Sequence, residues 1–150
     1  MSNIYFNSEC VHVIFLGLPN VPGIAAGVFK KLSEHEIAVE MVTQNTMRGG
    51  RSDLSFLINK DRLDDANRIC RDLCEKLSGQ GVSFATEIAT IRVDIENSGD
   101  AAKTLAKIFS TLASAGVNIE IINSTPSSVM CVVSNTHAAD GLKALEAALK

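Results

Sequence analysis

Residues 17–29, with the sequence GLPNVPGIAAGVF, place two prolines and a glycine between an apolar run and a segment of helical spacing. Pro19 and Pro22 remove backbone donors, and Gly23 accepts angles that a Cβ would forbid, so the stretch predicts a turn that opens a helix. The first N–H groups of that helix, at Gly23, Ile24 and Ala25, would favour an anion. A small acid could therefore bind here, although Pro22 and Gly23 would serve equally well as a helix start without a ligand.

The cysteines and histidines indicate no catalytic or metal centre. Cys70 and Cys74 stand four residues apart, as a ligand pair on one helix face would, but they also belong to an apolar stripe typical of a buried face. No Cys-x-x-Cys or matching histidine pair completes a zinc set. His12, His35 and His137 have no evident partners for a triad. We therefore assign no catalytic residue, no metal site and no cofactor.

Composition sets the class of protein. A chain of 150 residues with 46% hydrophobic content can bury a core as one domain or as two of about 75 residues. Four cysteines without a positively charged, apolar leader favour free thiols and a cytoplasmic location. A net charge of −3 disfavours nucleic-acid binding, and no apolar run approaches the ~18 residues that a membrane span needs. We expect a soluble protein that binds neither nucleic acid nor membrane.

The chain contains an internal repeat. A shift of 80 residues aligns AVEMV (38–42) with NIEII (118–122), and beyond that point a shift of 75 aligns LSFLI (54–58) with VMCVV (129–133). The first copy has the longer loop, around TMRGGR. Two copies of this length indicate a duplicated domain.

Each copy predicts the element order βαββα. In the first copy we expect strands at 11–16, 37–43 and 53–58 and helices at about 23–35 and 61–77. In the second we expect strands near 88–95, 117–123 and 128–134 and helices near 100–115 and 137–149. Short strands at 4–6 and 82–87 precede the copies at equivalent places, from which each could cross over to complete the other sheet. The pattern predicts an α+β fold with domains at 1–80 and 81–150, each an antiparallel sheet covered by two helices on one face.

Four motifs resemble the paired ACT domains at the regulatory end of aspartate kinases. They are the Pro-Gly start of the first helix, the QN that ends the second strand, the Gly-Arg-Ser-Asp bend and the NIE strand of the second copy, and they occur in order over nearly the whole chain. The resemblance implies two ferredoxin-like βαββαβ domains that regulate a kinase catalytic domain or subunit and are not themselves an enzyme. It also implies that the effector is an end-product amino acid, lysine or threonine.

A free amino acid needs N–H donors for its carboxylate and oxygen acceptors for its ammonium group. The loop Asn20–Val21–Pro22 leads to the donors at Gly23–Ala25, and acceptors are available on Asn20, Gln44, Asn45 and Asp53. The resemblance implies that the other copy completes the site with Asn118, Ile119, Ser124 and Thr125. Taken singly, Gln44 and Asn45 could merely cap a turn, Arg51 and Asp53 could form a surface ion pair, and Ile119 could be core.

Two positions depart from the family pattern. Asn20 stands where the family usually has an acidic residue, and Lys103 stands where the second copy would need a glycine. The alternative function is therefore a structural dimerisation module whose effector site has decayed. A small-molecule enzyme of ferredoxin-like fold is a third possibility, for which no acid–base constellation is visible. Open strand edges predict a homodimer whose sheets continue side by side.

Overall fold

The computed structural model describes residues 3–95 and 100–149, and within them eight strands and four helices follow the duplicated order. The strands are β1 (Ile4–Asn7), β2 (Cys10–Pro19), β3 (Glu40–Thr46), β4 (Arg51–Asn59), β5 (Gly81–Ala85), β6 (Ile88–Asp94), β7 (Ile119–Thr125) and β8 (Ser128–Ser134). The helices are α1 (Ile24–Glu34), α2 (Leu63–Lys76), α3 (Ala101–Ser114) and α4 (Ala138–Ala148). Residues 1–2, 96–99 and 150 of the two predicted domains lie outside the described residues.

The strands form two antiparallel four-stranded sheets, with the orders β3-β4-β2-β5 and β1-β6-β8-β7. Within the first sheet β5 pairs with β2, and within the second β1 pairs with β6. The chain divides into two compact units, one formed by Glu9–Thr86 and one by the described parts of Met1–Ser8 and Glu87–Lys150. The prediction of two tandem βαββαβ repeats with antiparallel sheets is confirmed.

In the unit Glu9–Thr86, alternate residues of the two central strands face the helices and form the core. Val13 and Phe15 of β2 and Phe56 of β4 are fully buried. Because successive side chains of a strand point to opposite faces, Val13 and Phe15 lie on the same face. Phe29 of α1 meets Phe56 edge-to-face, with ring centroids 5.5 Å apart. Cys70 and Cys74 of α2 lie in the same core, as the apolar stripe predicts.

The second unit repeats this arrangement with different side chains. Its core joins Ile91 of β6 to Leu112 of α3 and Leu145 of α4. Gly141 lets α4 pack closely, since a Cβ there would stand 2.7 Å from Cγ2 of Val117. Both units therefore bury one face of a sheet beneath two helices, as the fold class requires.

The strand β2 is longer than predicted, because a β-bulge carries it past its expected end at residue 16. The pairing of β2 with β4 shifts register between Phe15 and Leu18. Gly17 occupies this bulge with φ 62°, a left-handed conformation that favours glycine. Beyond the bulge, Leu18 lies opposite Ser52 and Pro19 opposite Arg51. The bulge thus brings the start of β4 beside the loop that precedes α1.

Candidate functional site

The N-terminus of α1 is shaped by the sequence PNVPG. Gly23 is its N-cap residue, with φ 92° and ψ −9°, and the first helical hydrogen bond runs from Gly27 N–H to the Gly23 carbonyl at 2.9 Å. Among residues 3–95 and 100–149, no side chain caps this terminus, and its first turn contains no acidic residue. The loop before it is held by a 2.7 Å hydrogen bond from Asn20 N–H to the carbonyl of Gly50. Its first-turn N–H groups are thus available to an external anion.

The corresponding helix of the second repeat begins differently. Asp100 is the N-cap of α3, and its Oδ1 accepts a 3.1 Å hydrogen bond from the N–H of Lys103. This carboxylate already supplies the anion that a helix N-terminus favours. The contrast makes the first repeat the better candidate for an anion site.

The predicted side chains of β3 divide between the two faces of the sheet. Gln44 lies opposite Leu54, whose side chain is in the core, and its Nε2 donates to Ser52 Oγ at 3.3 Å. Gln44 therefore shares the helix-covered face with α1. Asn45 lies opposite Asp53 and shares the face that the helices leave uncovered.

Arg51 and Asp53 bind the bulge instead of each other. Asp53 Oδ1 accepts a 2.9 Å hydrogen bond from the Gly17 N–H, and Arg51 Nη1 donates to the Gly17 carbonyl at 2.9 Å. The same Nη1 donates to the carbonyl of Ser78 at 2.7 Å. The sequence allowed a surface ion pair between Arg51 and Asp53, and the described residues do not form it.

In the second unit, the predicted residues lie at the two ends of β7. Asn118 is exposed just before β7, and Ile119 packs partly buried against the core. Ser124 and Thr125 are exposed at its far end, where Thr125 Oγ1 accepts hydrogen bonds from the N–H groups of Ser127 and Ser128 at 3.3 and 3.1 Å. Thr125 therefore caps the turn between β7 and β8.

The structure adds two residues that the sequence did not single out. Gly17 could have been suspected, since a glycine inside an apolar strand suggests a bulge. Ser78, which has φ 61°, had no signal of its own, because its contact with Arg51 joins positions 27 residues apart.

The cysteines are free thiols and buried. Burial raises the pKa of Cys70 to about 12, with a further contribution from Cys74, and burial raises that of Cys131 to about 11. Across the described residues, no group of three His, Cys, Asp or Glu side chains is placed to hold a metal ion. Within the same residues, no helix combines the length and apolar content of a membrane span.

A family model of the ACT domain matches residues 11–72 and 100–149. These stretches correspond to the two repeats, so the chain belongs to the ACT domain family. An aspartokinase of Thermus thermophilus is 28% identical over 152 residues, which cover 100% of this chain and 37% of that protein. An aspartate kinase of Pseudomonas fluorescens is 25% identical over 150 residues, covering 100% of this chain and 36% of that protein. The chain thus spans little more than a third of these kinases.

The crystal structure of the ligand-free regulatory subunit of aspartate kinase from Thermus thermophilus is similar to this fold, with a TM-score of 0.88 and 26% identity. The match covers 98% of this chain and 97% of that subunit. The resemblance read from the sequence motifs is thereby confirmed. The prediction of a regulatory unit is confirmed by the same match, because the likeness extends over nearly the whole of a regulatory subunit.

Proposed function

We propose that this chain is the amino-acid-sensing module of an aspartate kinase and binds lysine or threonine as a feedback effector. The observation that carries the proposal is the N-terminus of α1, which has a glycine cap and no acidic residue in its first turn. The equivalent helix of the other repeat is capped by its own Asp100. An effector carboxylate would occupy at α1 the place that Asp100 occupies at α3.

The ligand contacts follow from the chemistry of a free amino acid. The N–H groups of Gly23–Ala25 would bind the carboxylate, and the side-chain oxygens of Asn20 and Gln44 would accept from the ammonium group. Val21 and Pro22 would shape the loop, and Asn45 and Asp53 lie at the same end of the sheet on its other face. A second repeat, of this chain or of a partner, would complete the site with the residues Asn118, Ile119, Ser124 and Thr125.

Regulation would follow from linkage. An effector that binds one arrangement of the ACT repeats more tightly than another shifts the population toward that arrangement. A kinase catalytic domain or subunit attached to the repeats would respond to that shift. The proposed setting is the cytoplasm, where free thiols such as the four buried cysteines persist.

The direct test is a thermal-shift panel of the twenty amino acids, followed by calorimetry of those that raise the unfolding temperature. A ligand at 100 times its Kd should stabilise the fold by about 2.7 kcal/mol. L-Threoninamide and L-lysinamide are matched controls, because they keep the ammonium group and the side chain but lack the carboxylate. If no amino acid raises the unfolding temperature, the dimerisation module with a decayed site becomes the better account.

We also propose that the chain forms a homodimer through the edge strands β3 and β7. These strands occupy equivalent edges of their sheets, and Val42 on β3 and Ile122 on β7 are 47% and 49% exposed. A cleft of about 420 Å³ adjoins β3 and is lined mainly by apolar residues of α1 and of the segment that leads into β3, with Phe29 and Val39 among them. Exposed apolar edges of this kind are usually covered by a partner.

Light scattering should give twice the 16.0 kDa of the chain at micromolar concentration. Val42→Asp should shift the mass toward that of one chain, because it places a charge on the shared edge. Phe6→Asp is the matched control, since Phe6 is also an exposed apolar residue of an edge strand but lies on β1, at the opposite edge of its sheet from β7. A monomeric wild-type protein would contradict the dimer. It would leave the effector proposal standing in the form in which both repeats of one chain supply the site.

A further inference from the structure

The guanidinium group of Arg51 joins two segments that are far apart in sequence. Its Nη1 donates to the carbonyl of Gly17 at 2.9 Å and to the carbonyl of Ser78 at 2.7 Å. The first carbonyl belongs to the bulge of β2, and the second to the turn between α2 and β5. Hydrogen bonds from a charged donor are shorter and stronger than neutral ones. Arg51 is therefore a specific tie between this bulge and this turn.

The bulge directly precedes the proposed effector loop along the chain. Gly17 precedes Pro19 by two residues, and its N–H is held by Asp53 at 2.9 Å. Arg51 itself lies opposite Pro19 in the pairing of β2 with β4. Arg51 thus contacts this region twice: its backbone pairs with Pro19 at the start of the loop, and its side chain holds the bulge. A shift of the loop would therefore move the guanidinium group.

The turn on the other side of Arg51 precedes, along the chain, the segment that joins the two units. Ser78 has φ 61°, which is unfavourable for a residue with a Cβ and needs support from its surroundings. Gln80 N–H donates to the Leu16 carbonyl at 2.8 Å, so the turn also contacts the residue that precedes Gly17. The strand β5 begins at Gly81, directly after this turn, and the chain then passes into β6 of the other unit.

From this geometry we infer that Arg51 is a positioning residue that couples occupancy of the effector site to the α2–β5 turn. The inference rests on the proposed function. Effector binding fixes the loop before α1, the bulge at Gly17 is fixed with it, and Arg51 transfers this restraint to the Ser78 carbonyl. The left-handed conformation of Ser78 then becomes more populated, and the start of β5 becomes more ordered.

The test compares hydrogen exchange in the wild-type chain, Arg51→Met, Arg51→Lys and the control Arg48→Met. Arg48 is an exposed arginine in the hairpin loop that precedes β4, so the control removes a charge three residues away. L-Threonine and L-lysine are the probes, each added at saturation for every variant, so that differences in affinity do not affect the comparison. The amides followed are those of Ile24 and Ala25 at the site and of Ser78 and Gln80 at the turn.

In the wild-type chain and in Arg48→Met, the amino acid that binds should slow exchange at both places. In Arg51→Met it should slow exchange at Ile24 and Ala25 only, and the Kd should rise roughly 2- to 30-fold. Arg51→Lys, which retains a charged donor, should restore part of the protection at the turn. A purely structural role would lower the melting temperature but would leave ligand-induced protection at both places.

The two proposals fail in different ways. If neither amino acid binds the wild-type chain, the effector proposal fails and the coupling fails with it. If the wild-type chain binds one of them and saturated Arg51→Met still protects Ser78 and Gln80 to the wild-type extent, only the coupling role of Arg51 is overturned. Absence of ligand-induced protection at the turn in the wild-type chain would overturn it equally.

Discussion

The carboxylate of Asp53 accepts a hydrogen bond from the backbone N–H of Gly17 at 2.9 Å. The N–H of Gly17 is turned toward Asp53 by the bulge in β2, where the register with β4 shifts. One carboxylate oxygen predicted to face an effector is therefore bound to the backbone of the protein itself. Its first role is to fix the bulge next to the proposed effector loop.

Replacing Asp53 should reveal the contribution of this hydrogen bond. Asp53→Ala leaves the N–H of the buried Gly17 without its acceptor, and we expect the free energy of unfolding to fall by about 1–3 kcal/mol. Asp53→Asn retains a side-chain oxygen in the same place and should lose less. Urea unfolding of the three proteins measures the difference. Equal stability of Asp53→Ala and the wild-type chain would contradict a structural role for the carboxylate.

Two helical glycines should respond to alanine in opposite directions. At Gly27 in α1, a Cβ would meet no atom within 4 Å, so Gly27→Ala should raise the free energy of unfolding by about 0.5–1 kcal/mol through helix propensity. At Gly141 in α4, a Cβ would lie 2.7 Å from Val117 and 3.0 Å from Leu112. Gly141→Ala should therefore destabilise by about 1–3 kcal/mol through overpacking. Denaturant unfolding gives both signs, and stabilisation by Gly141→Ala would contradict the close packing.

The order of strands and helices could be predicted because it follows from local spacing. Val13 and Phe15 recur at the two-residue spacing of a strand, and Val28 and Leu32 recur at helical spacing. The repeat doubled this information, since each copy supports the reading of the other. Helix capping could be predicted only in part. Gly23 signals the turn before α1, whereas the hydrogen bond from the Lys103 N–H to Asp100 is seen only in the structure.

The arrangement of the candidate site depended on register, which the sequence does not supply. A strand period of two requires Gln44 and Asn45 to face opposite sides, but only the pairing of Gln44 with Leu54 shows which one shares the helix-covered face. The link from Arg51 to Ser78 depends on a bulge and a turn that no local pattern connects.

The stability of the fold should fall below neutral pH because of His12. This side chain is 6% exposed, its Nε2 has no hydrogen-bond partner among the described residues, and burial lowers its pKa from the ordinary value of 6.5. As the pH falls through 6.5, the unfolded chain binds a proton that the folded chain does not, so the free energy of unfolding decreases. His12→Leu removes this proton uptake and should flatten the dependence between about pH 7.5 and 5.5. Chemical unfolding at the two pH values measures it, and an unchanged dependence in His12→Leu would contradict the assignment.

The division of Gln44 and Asn45 between the two faces gives the sharpest test of the effector site. If the ligand lies on the helix-covered face, near the N-terminus of α1, Gln44→Ala should weaken binding by about 1–3 kcal/mol, because the amide would bond a charged group. Asn45→Ala should change the affinity little, since Asn45 and Asp53 lie on the face of the sheet opposite the helices. Both residues are exposed, so both variants should fold with nearly wild-type stability. Calorimetry with L-threonine and L-lysine decides between the faces: loss of affinity in Asn45→Ala alone would place the ligand beside Asp53, and the N-terminus of α1 would then be only the start of a helix.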